Sequence, residues 1–262
     1  MLLLLASILW AIPSHESIQK TISSFNTLSD TKIPTLNEKQ RQKLLKGEVV
    51  SLVQKGGSDG GQVSAGKAVA FYISDLPKEQ LWISFQDPHF QVQESTIEAL
   101  YKSNGTDKLE WYGYIDLPWP LTDRHWLVRV WNNHKMAEES NNAMWEHPWR
   151  LIPEGKTLCA DMVAQGKVQK VSTSNYNSAI YLPDSQGVWA MMDMEGSTLL
   201  AYSATATVGG AIPESLMMKY LLSGLDSFMK DGEKRAREVV PQHYKASHEP
   251  IYGGDGIPVK TY

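Results

Sequence analysis

The sequence predicts an α+β fold in which a curved antiparallel sheet wraps around one long C-terminal helix. Between Gln91 and Thr207 the chain shows short apolar and aromatic runs separated by turn residues, with no sustained helical period. After Gly209-Gly210 the period changes, and Met217, Tyr220, Leu221, Gly224, Leu225 and Phe228 fall on one stripe of a helix spanning 213–239. An antiparallel sheet and an amphipathic helix must each bury an apolar face, and each supplies the cover the other needs.

Composition bounds the rest. The 262 residues, 42% hydrophobic and 21% charged, suit a single domain with extensions rather than a disordered chain. A formal net charge of -4 excludes a nucleic-acid binder held by phosphate contacts. The single cysteine, Cys159, excludes an intrachain disulfide framework and any multi-cysteine metal site. Nine tryptophans and eleven tyrosines are a heavy load of large, flat, amphipathic side chains.

In chain order, Met1 to Ile12 is nearly all apolar, too short for a membrane span of about 20 residues and the right length for the core of an export signal. No Lys or Arg precedes it and no A-x-A site follows it. Residues 1–14 are therefore read as a signal peptide and the protein as periplasmic or secreted. The other reading is an apolar helix docked on the core, which would leave the protein cytoplasmic. Residues 15–33 form a helical extension through Ile18, Ile22 and Phe25. Thr35 and Glu38 have the spacing of a capping box, opening a helix that Gly47 stops. A strand over 48–55, a glycine-rich turn from Gly56 to Gly61 and a strand over 67–74 follow. Pro77 opens a short helix with Leu81, Trp82 and Phe85 on its apolar face, and Asp87-Pro88 ends it. Candidate strands then run over 92–102, 108–117, 124–133, 143–152, 163–182, 187–194 and 198–208. Asn104-Gly105 between the first two is a hairpin signal, and with Thr106 also a glycosylation sequon. The tail, 241–262, is rich in Gly and Pro and reads as irregular.

If the sheet curls around the last helix, a cavity opens between them, which is the helix-grip arrangement. Four segments carry a resemblance to a known family in this layout: Leu44 to Val50, Ile73 to Trp82, Tyr114 to Arg124 with its D-x-P-x-P-x-x-D-R turn, and Gly209 to Pro213. In order and spacing they resemble a bacterial-type START domain of the Bet v 1-like superfamily over residues 34–240. The resemblance implies a cavity for a hydrophobic ligand, usually a lipid or sterol, and usually no chemistry. The stretch 154–178 departs from the family pattern.

Side chains expected to line such a cavity are Trp111, Trp126, Trp131, Trp145, Trp189 and Met191 on strands, and Met217, Leu221, Gly224 and Phe228 on the last helix. The competing reading of each is plain core. Arg129, between Val128 and Val130, is a candidate polar anchor with Glu146 or Asp193 as acidic partner; the alternative puts it on the solvent face. Along the strand, Trp111, Gly113 and Ile115 share one face and Tyr112 and Tyr114 the other.

Reactive motifs are absent. Seven histidines form neither H-E-x-x-H nor H-x-H, so no metal site is expected short of long-range convergence. There is no G-x-S-x-G elbow, P-loop or dinucleotide fingerprint, and no cofactor is implied. Lys230, Lys234, Arg235 and Arg237 would touch anionic headgroups in a transient membrane contact, or form a solvated helix face among Asp231, Glu233 and Glu238. The sequence is read as a monomeric, non-catalytic carrier or sensor of one lipid-like molecule. Its rivals are a cyclase- or hydrolase-like enzyme using His125, Arg129, Glu146 or Asp193, and a protein-interaction module anchored by exposed tryptophans.

Overall fold

The computed structural model describes residues 13–54, 58–59, 62–63, 66–87, 96–105, 107, 108–119, 121–207, 209, 214–245 and 248–260, with backbone alone at 58–59, 62–63, 214–221 and 223. Met1 to Ile12, the glycines of the 56–61 turn, Thr106, Gly210 and Pro213 lie outside the described residues.

The chain opens with α1 (His15–Leu28) and α2 (Glu38–Leu45), then β1 (Val50–Gln54), a small hairpin of β2 (Ser58–Asp59) and β3 (Gln62–Val63), and β4 (Lys67–Ser74). After α3 (Lys78–Gln86) come β5 (Thr96–Ser103), β6 (Lys108–Ile115) and β7 (Arg124–Trp131). Next are α4 (His134–Glu139), β8 (Met144–Leu151), α5 (Gly155–Ala164), α6 (Thr173–Ser178) and β9 (Ile180–Tyr181). The chain closes with β10 (Asp184–Met194), β11 (Ser197–Thr207), α7 (Glu214–Glu238) and α8 (Val240–His243). The main sheet is ordered β1-β4-β11-β10-β8-β7-β6-β5, with β9 pairing parallel to β7. The rest of its pairing is antiparallel. An α+β fold with a large curved sheet and a long C-terminal helix is what the patterning predicts.

Alternation along each strand divides the sheet into two faces. The outer face presents Val69, Phe71, Val188, Ala190, Met192, Leu199 and Ala201, covered by Ile18, Ile22 and Phe25 of α1 and Leu44 of α2. The inner face presents Ala68, Ala70, Trp145, Met191 and Leu200, covered by Leu81 and Trp82 of α3, by Leu225, Met229 and Ala236 of α7, and by Val240 of α8. The N-terminal extension is thus one wall of the core.

Several expectations are corrected. Of the strand expected over 163–182 only β9 (Ile180–Tyr181) exists. Cys159, Met162 and Val163 have i, i+3, i+4 spacing and form the buried side of α5, which with Tyr176 of α6 packs over Tyr112 and Leu127 on the outer face. Positive φ at Gly166 (69°) and Lys170 (67°) breaks the chain between the two helices. The short helix α4 also interrupts the expected all-strand stretch, capped where Met136 N–H donates to Asn133 Oδ1 at 3.2 Å. The cap of α2 is Asn37, not Thr35: Gln40 N–H donates to Asn37 Oδ1, and Asn37 N–H donates to Gln40 Oε1. Ser14, placed with the signal segment, caps α1 reciprocally with Ser17 and so belongs to the folded body.

The described residues of the tail beyond α8 have irregular backbone and pack on the core. Tyr252 and Pro258 form an isolated antiparallel bridge, and Ile251 and Val259 join the inner core. Gly253 and Gly254 lie flat on the Trp145 indole, where an added Cβ would come within 2.7 and 2.6 Å of the ring. Trp82 Nε1–H donates to Tyr252 O at 2.9 Å and Asn132 Nδ2–H donates to Gly253 O at 3.0 Å.

Candidate functional site

The inner face has a solid end and an open end. In the solid end, Trp82 and Trp145 meet edge to face at 5.2 Å, and Trp82 and His147 at 5.6 Å. Asn132 spends its amide hydrogens on tail carbonyls, so its Oδ1 accepts from His147 Nδ1–H at 2.7 Å. Burial holds that imidazole neutral, near 3. Met191 and Leu200 are fully buried there.

The open end is a wall of aromatic rings that keep accessible surface although they stand on central strands. Trp149 of β8 stacks on Tyr202 of β11 at 5.5 Å, and Tyr202 meets Trp189 of β10 at 4.5 Å. Phe228 of α7 lies 4.9 Å from Trp189, and Phe85 of α3 lies 5.1 Å from it. Glycine makes these positions possible. The Trp149 ring crosses Gly187, the Trp126 ring crosses Gly113, and Phe85 presses on Gly232, with built Cβ distances of 2.1–2.3 Å in each case. Trp111, Trp126, Trp149, Trp189, Tyr202 and Phe228 are all half-buried, unlike the fully covered residues of the solid end.

One carboxyl enters this apolar wall. Glu98 of β5 is in register with Gly113 and through it with Trp126. Burial lifts its carboxyl to about 7, with the Trp111 indole beside it offsetting part of the rise. Sequence reading missed Glu98. The available signal was a charged residue among Ile97, Ala99 and Leu100 whose alternation puts it on the same side as Trp111.

The residues expected in the site separate into groups. Trp189 and Phe228 come together at the open end, Trp111 and Trp126 stand half-buried on the same sheet face farther along β6 and β7, and Gly224 is half-buried one turn before Phe228. Trp145 and Met191 belong to the solid end and are core. Asp193 is not an anchor either, since its carboxylate lies 3.2 Å from Lys78 Nζ, whose ammonium sits 4.3 Å over the Trp145 ring. Arg129 points to the outer face, 2.7 Å from the cross-strand Glu110 and half-exposed, because alternation opposes it to its neighbours Val128 and Val130. Trp131 shares that outer parity and lines a polar groove of about 520 Å³ with Lys32, Lys67 and Arg150. Met217 and Leu221 lie on α7, with side chains outside the described residues.

The acid–base candidates do not converge. His125 is buried on the outer face, 3.2 Å from Tyr112 Oη and edge to face with Tyr176 and Tyr181, and burial lowers it to about 4. Glu146 is also on the outer face, where Ser29 Oγ–H and Asn133 Nδ2–H both donate to its carboxylate. The basic residues of α7 are largely matched: Lys230 lies 3.1 Å from Asp226, and Arg237 pairs with both Asp75 and Glu233.

Solved structures share this geometry. A STAR-related lipid transfer protein from Xanthomonas axonopodis matches with a TM-score of 0.53 at 13% identity, covering 72% of this chain and 94% of that one. The fold is that of the START domains. Human STARD10 shares the START fold at a TM-score of 0.50 and 13% identity, over 81% of this chain and 84% of its own. Human StAR-related lipid transfer protein 5 does so at 0.50 and 9%, over 85% and 97%. No protein-family profile and no curated protein sequence matches the chain. The START fold therefore rests on shape.

Among the described residues no helix is long and apolar enough to cross a membrane.

Proposed function

We propose that this protein binds one lipid-like molecule between the inner sheet face and α7 and acts as a carrier or sensor rather than an enzyme. The observation that carries the proposal is the open end itself. Six aromatic side chains on the inner side of the fold retain surface, and Glu98, whose carboxyl is easily protonated, stands on the same sheet face beside Trp111. Apolar burial at about 25 cal/mol per Å² drives uptake. Glu98 orients the guest by hydrogen bonding to its polar end. The non-catalytic reading is supported by where the acid–base candidates sit: His125, Arg129 and Glu146 are on the outer face and Asp193 is tied to Lys78. The likeness in shape to lipid-transfer proteins from Xanthomonas axonopodis and human supports a hydrophobic guest.

Exchange of an apolar guest needs contact with a membrane. Trp119, 92% exposed between Pro118 and Pro120, is the side chain placed to make it. Native mass spectrometry of the full chain purified from its host tests the proposal. A retained apolar molecule of defined mass, released by organic extraction, is the expected result. Protein that carries none, and takes up neither a fluorescent fatty acid nor a fluorescent sterol, refutes it. Replacing Trp119 with Ser should slow transfer of the probe to vesicles without weakening its binding.

A further inference from the structure

Asp87, His243 and His248 form a cluster apart from the aromatic site. Asp87 is the C-cap residue of α3, its backbone N–H donating to Ile83 O and its carboxylate wholly buried; His243 ends α8, and His248 follows in the segment beyond. Among the described residues, one ligand atom from each lies within 4.8 Å of the others. Asp87 precedes the two histidines by 156 and 161 residues and the histidines are five apart, so no metal-binding motif announces the group.

Two details of geometry point to a cation. His248 Nδ1 is 2.6 Å from the carbonyl oxygen of Glu249. A carbonyl only accepts, so Nδ1 is the donor in this contact and Nε2 is the ring nitrogen turned toward the cluster. That Nε2 faces Asp87 Oδ2 at 3.7 Å. The gap is too long for a hydrogen bond. It is close to the separation of about 3.3 Å between two ligands that each sit about 2.0–2.1 Å from one tetrahedral ion. The carbonyl contact at Nδ1 is also the outer partner that metal-binding imidazoles ordinarily have. His243 brings a second imidazole, its ring centred 4.9 Å from that of His248. The guanidinium of Arg235 also lies in the field of Asp87, but Asp231 shares that charge.

We propose that Asp87, His243 and His248 hold one divalent transition-metal ion of the zinc class. Two imidazoles and one carboxylate suit zinc and its neighbours, whereas magnesium and calcium require a shell of oxygens. The fourth position opens to solvent on the side of the exposed His243. The ion fastens the end of α3 to α8 and to the segment that leads into the tail, so it acts on the solid end of the fold and is independent of the guest.

The test is zinc alone, titrated into the EDTA-treated full chain against a chromophoric chelator. One ion per chain is expected. His243→Ala and His248→Ala should each weaken zinc binding at least tenfold, and zinc should raise the thermal midpoint of the parent chain but not of either variant. Magnesium should do neither. Because His243 is exposed, its replacement leaves the fold intact, and circular dichroism checks this. A chain that takes up no zinc, or variants that bind zinc as tightly as the parent chain does, overturn the proposal.

Discussion

The indole of Trp189 on β10 faces the ring of Phe228 on α7 at 4.9 Å and 33°, and there the last helix meets the aromatic wall of the sheet. Gly224 precedes Phe228 by four residues and so lies on the same side of α7. Gly224→Trp should insert an indole into the space a guest would fill. Uptake of a fluorescent lipid probe is expected to fall at least tenfold. The thermal midpoint should change by only a few degrees, because any non-glycine residue is favoured inside a helix by up to about 1 kcal/mol. Normal uptake by the folded variant would contradict a guest site at this place.

Glu98 predicts a dependence on pH. Its folded-state value of about 7 lies above the ordinary 4.5. Between these values the folded chain holds more protons than the unfolded one, so stability falls as pH rises through that window. The contribution is fully present below 4.5 and gone above 7. Its size is on the order of 1–3 kcal/mol, reduced from the full shift by the solvent that still reaches the group. Urea denaturation from pH 4.5 to 8 should show the decline, and Glu98→Gln should flatten it. An uncharged guest covering Glu98 adds desolvation, so uptake should also be tighter at pH 6 than at pH 8. Guest binding that strengthens toward pH 8 would mean a cationic guest.

Gly254 rests against Trp145 so closely that a built Cβ falls 2.6 Å from the indole. Gly254→Val should push the tail off the ring and cost about 1–3 kcal/mol. Equilibrium unfolding measures the loss, and faster trimming of the tail by dilute protease locates it. Stability equal to the parent would show that the tail adds nothing to the core.

Lys78 is 2% exposed and held by Glu79 at 2.9 Å, Asp193 at 3.2 Å and the Trp145 ring at 4.3 Å. Asp193→Ala should destabilise the fold by about 1–3 kcal/mol, less than for a fully buried pair because Glu79 remains and Asp193 is half-exposed. Lipid uptake should be unchanged, as expected of a residue that supports the solid end. Lost uptake at unchanged stability would return Asp193 to the site.

The strands, the long helix and the grip could be read from the sequence because each rests on a local period: alternation in β4 through β11 and one apolar stripe in α7. Which strand face looks inward could not. Trp111 and Trp131 look alike in sequence, and only the register of β6 against β7 puts the first inside and the second outside. Trp145 and Trp189 share an inner face, yet one is sealed under α3 and the tail while the other stands at the open end. That difference depends on chain more than 60 residues away in sequence. Cys159, Met162 and Val163 did carry a helical period, but too short a one to stand out amid flanking strands. Glu98 was passed over because one acid on an edge strand normally faces water.

Helix α1 and the tail segment press on opposite sides of one sheet: α1 covers Val188, Ala190 and Met192, while Gly253 and Gly254 cover Trp145. A fragment cut to residues 34–240 would therefore bare a greasy surface on both sides at once. Such a fragment should precipitate or pair with itself, and a recombinant product trimmed to the boundaries of the family resemblance should be harder to keep in solution than the full chain.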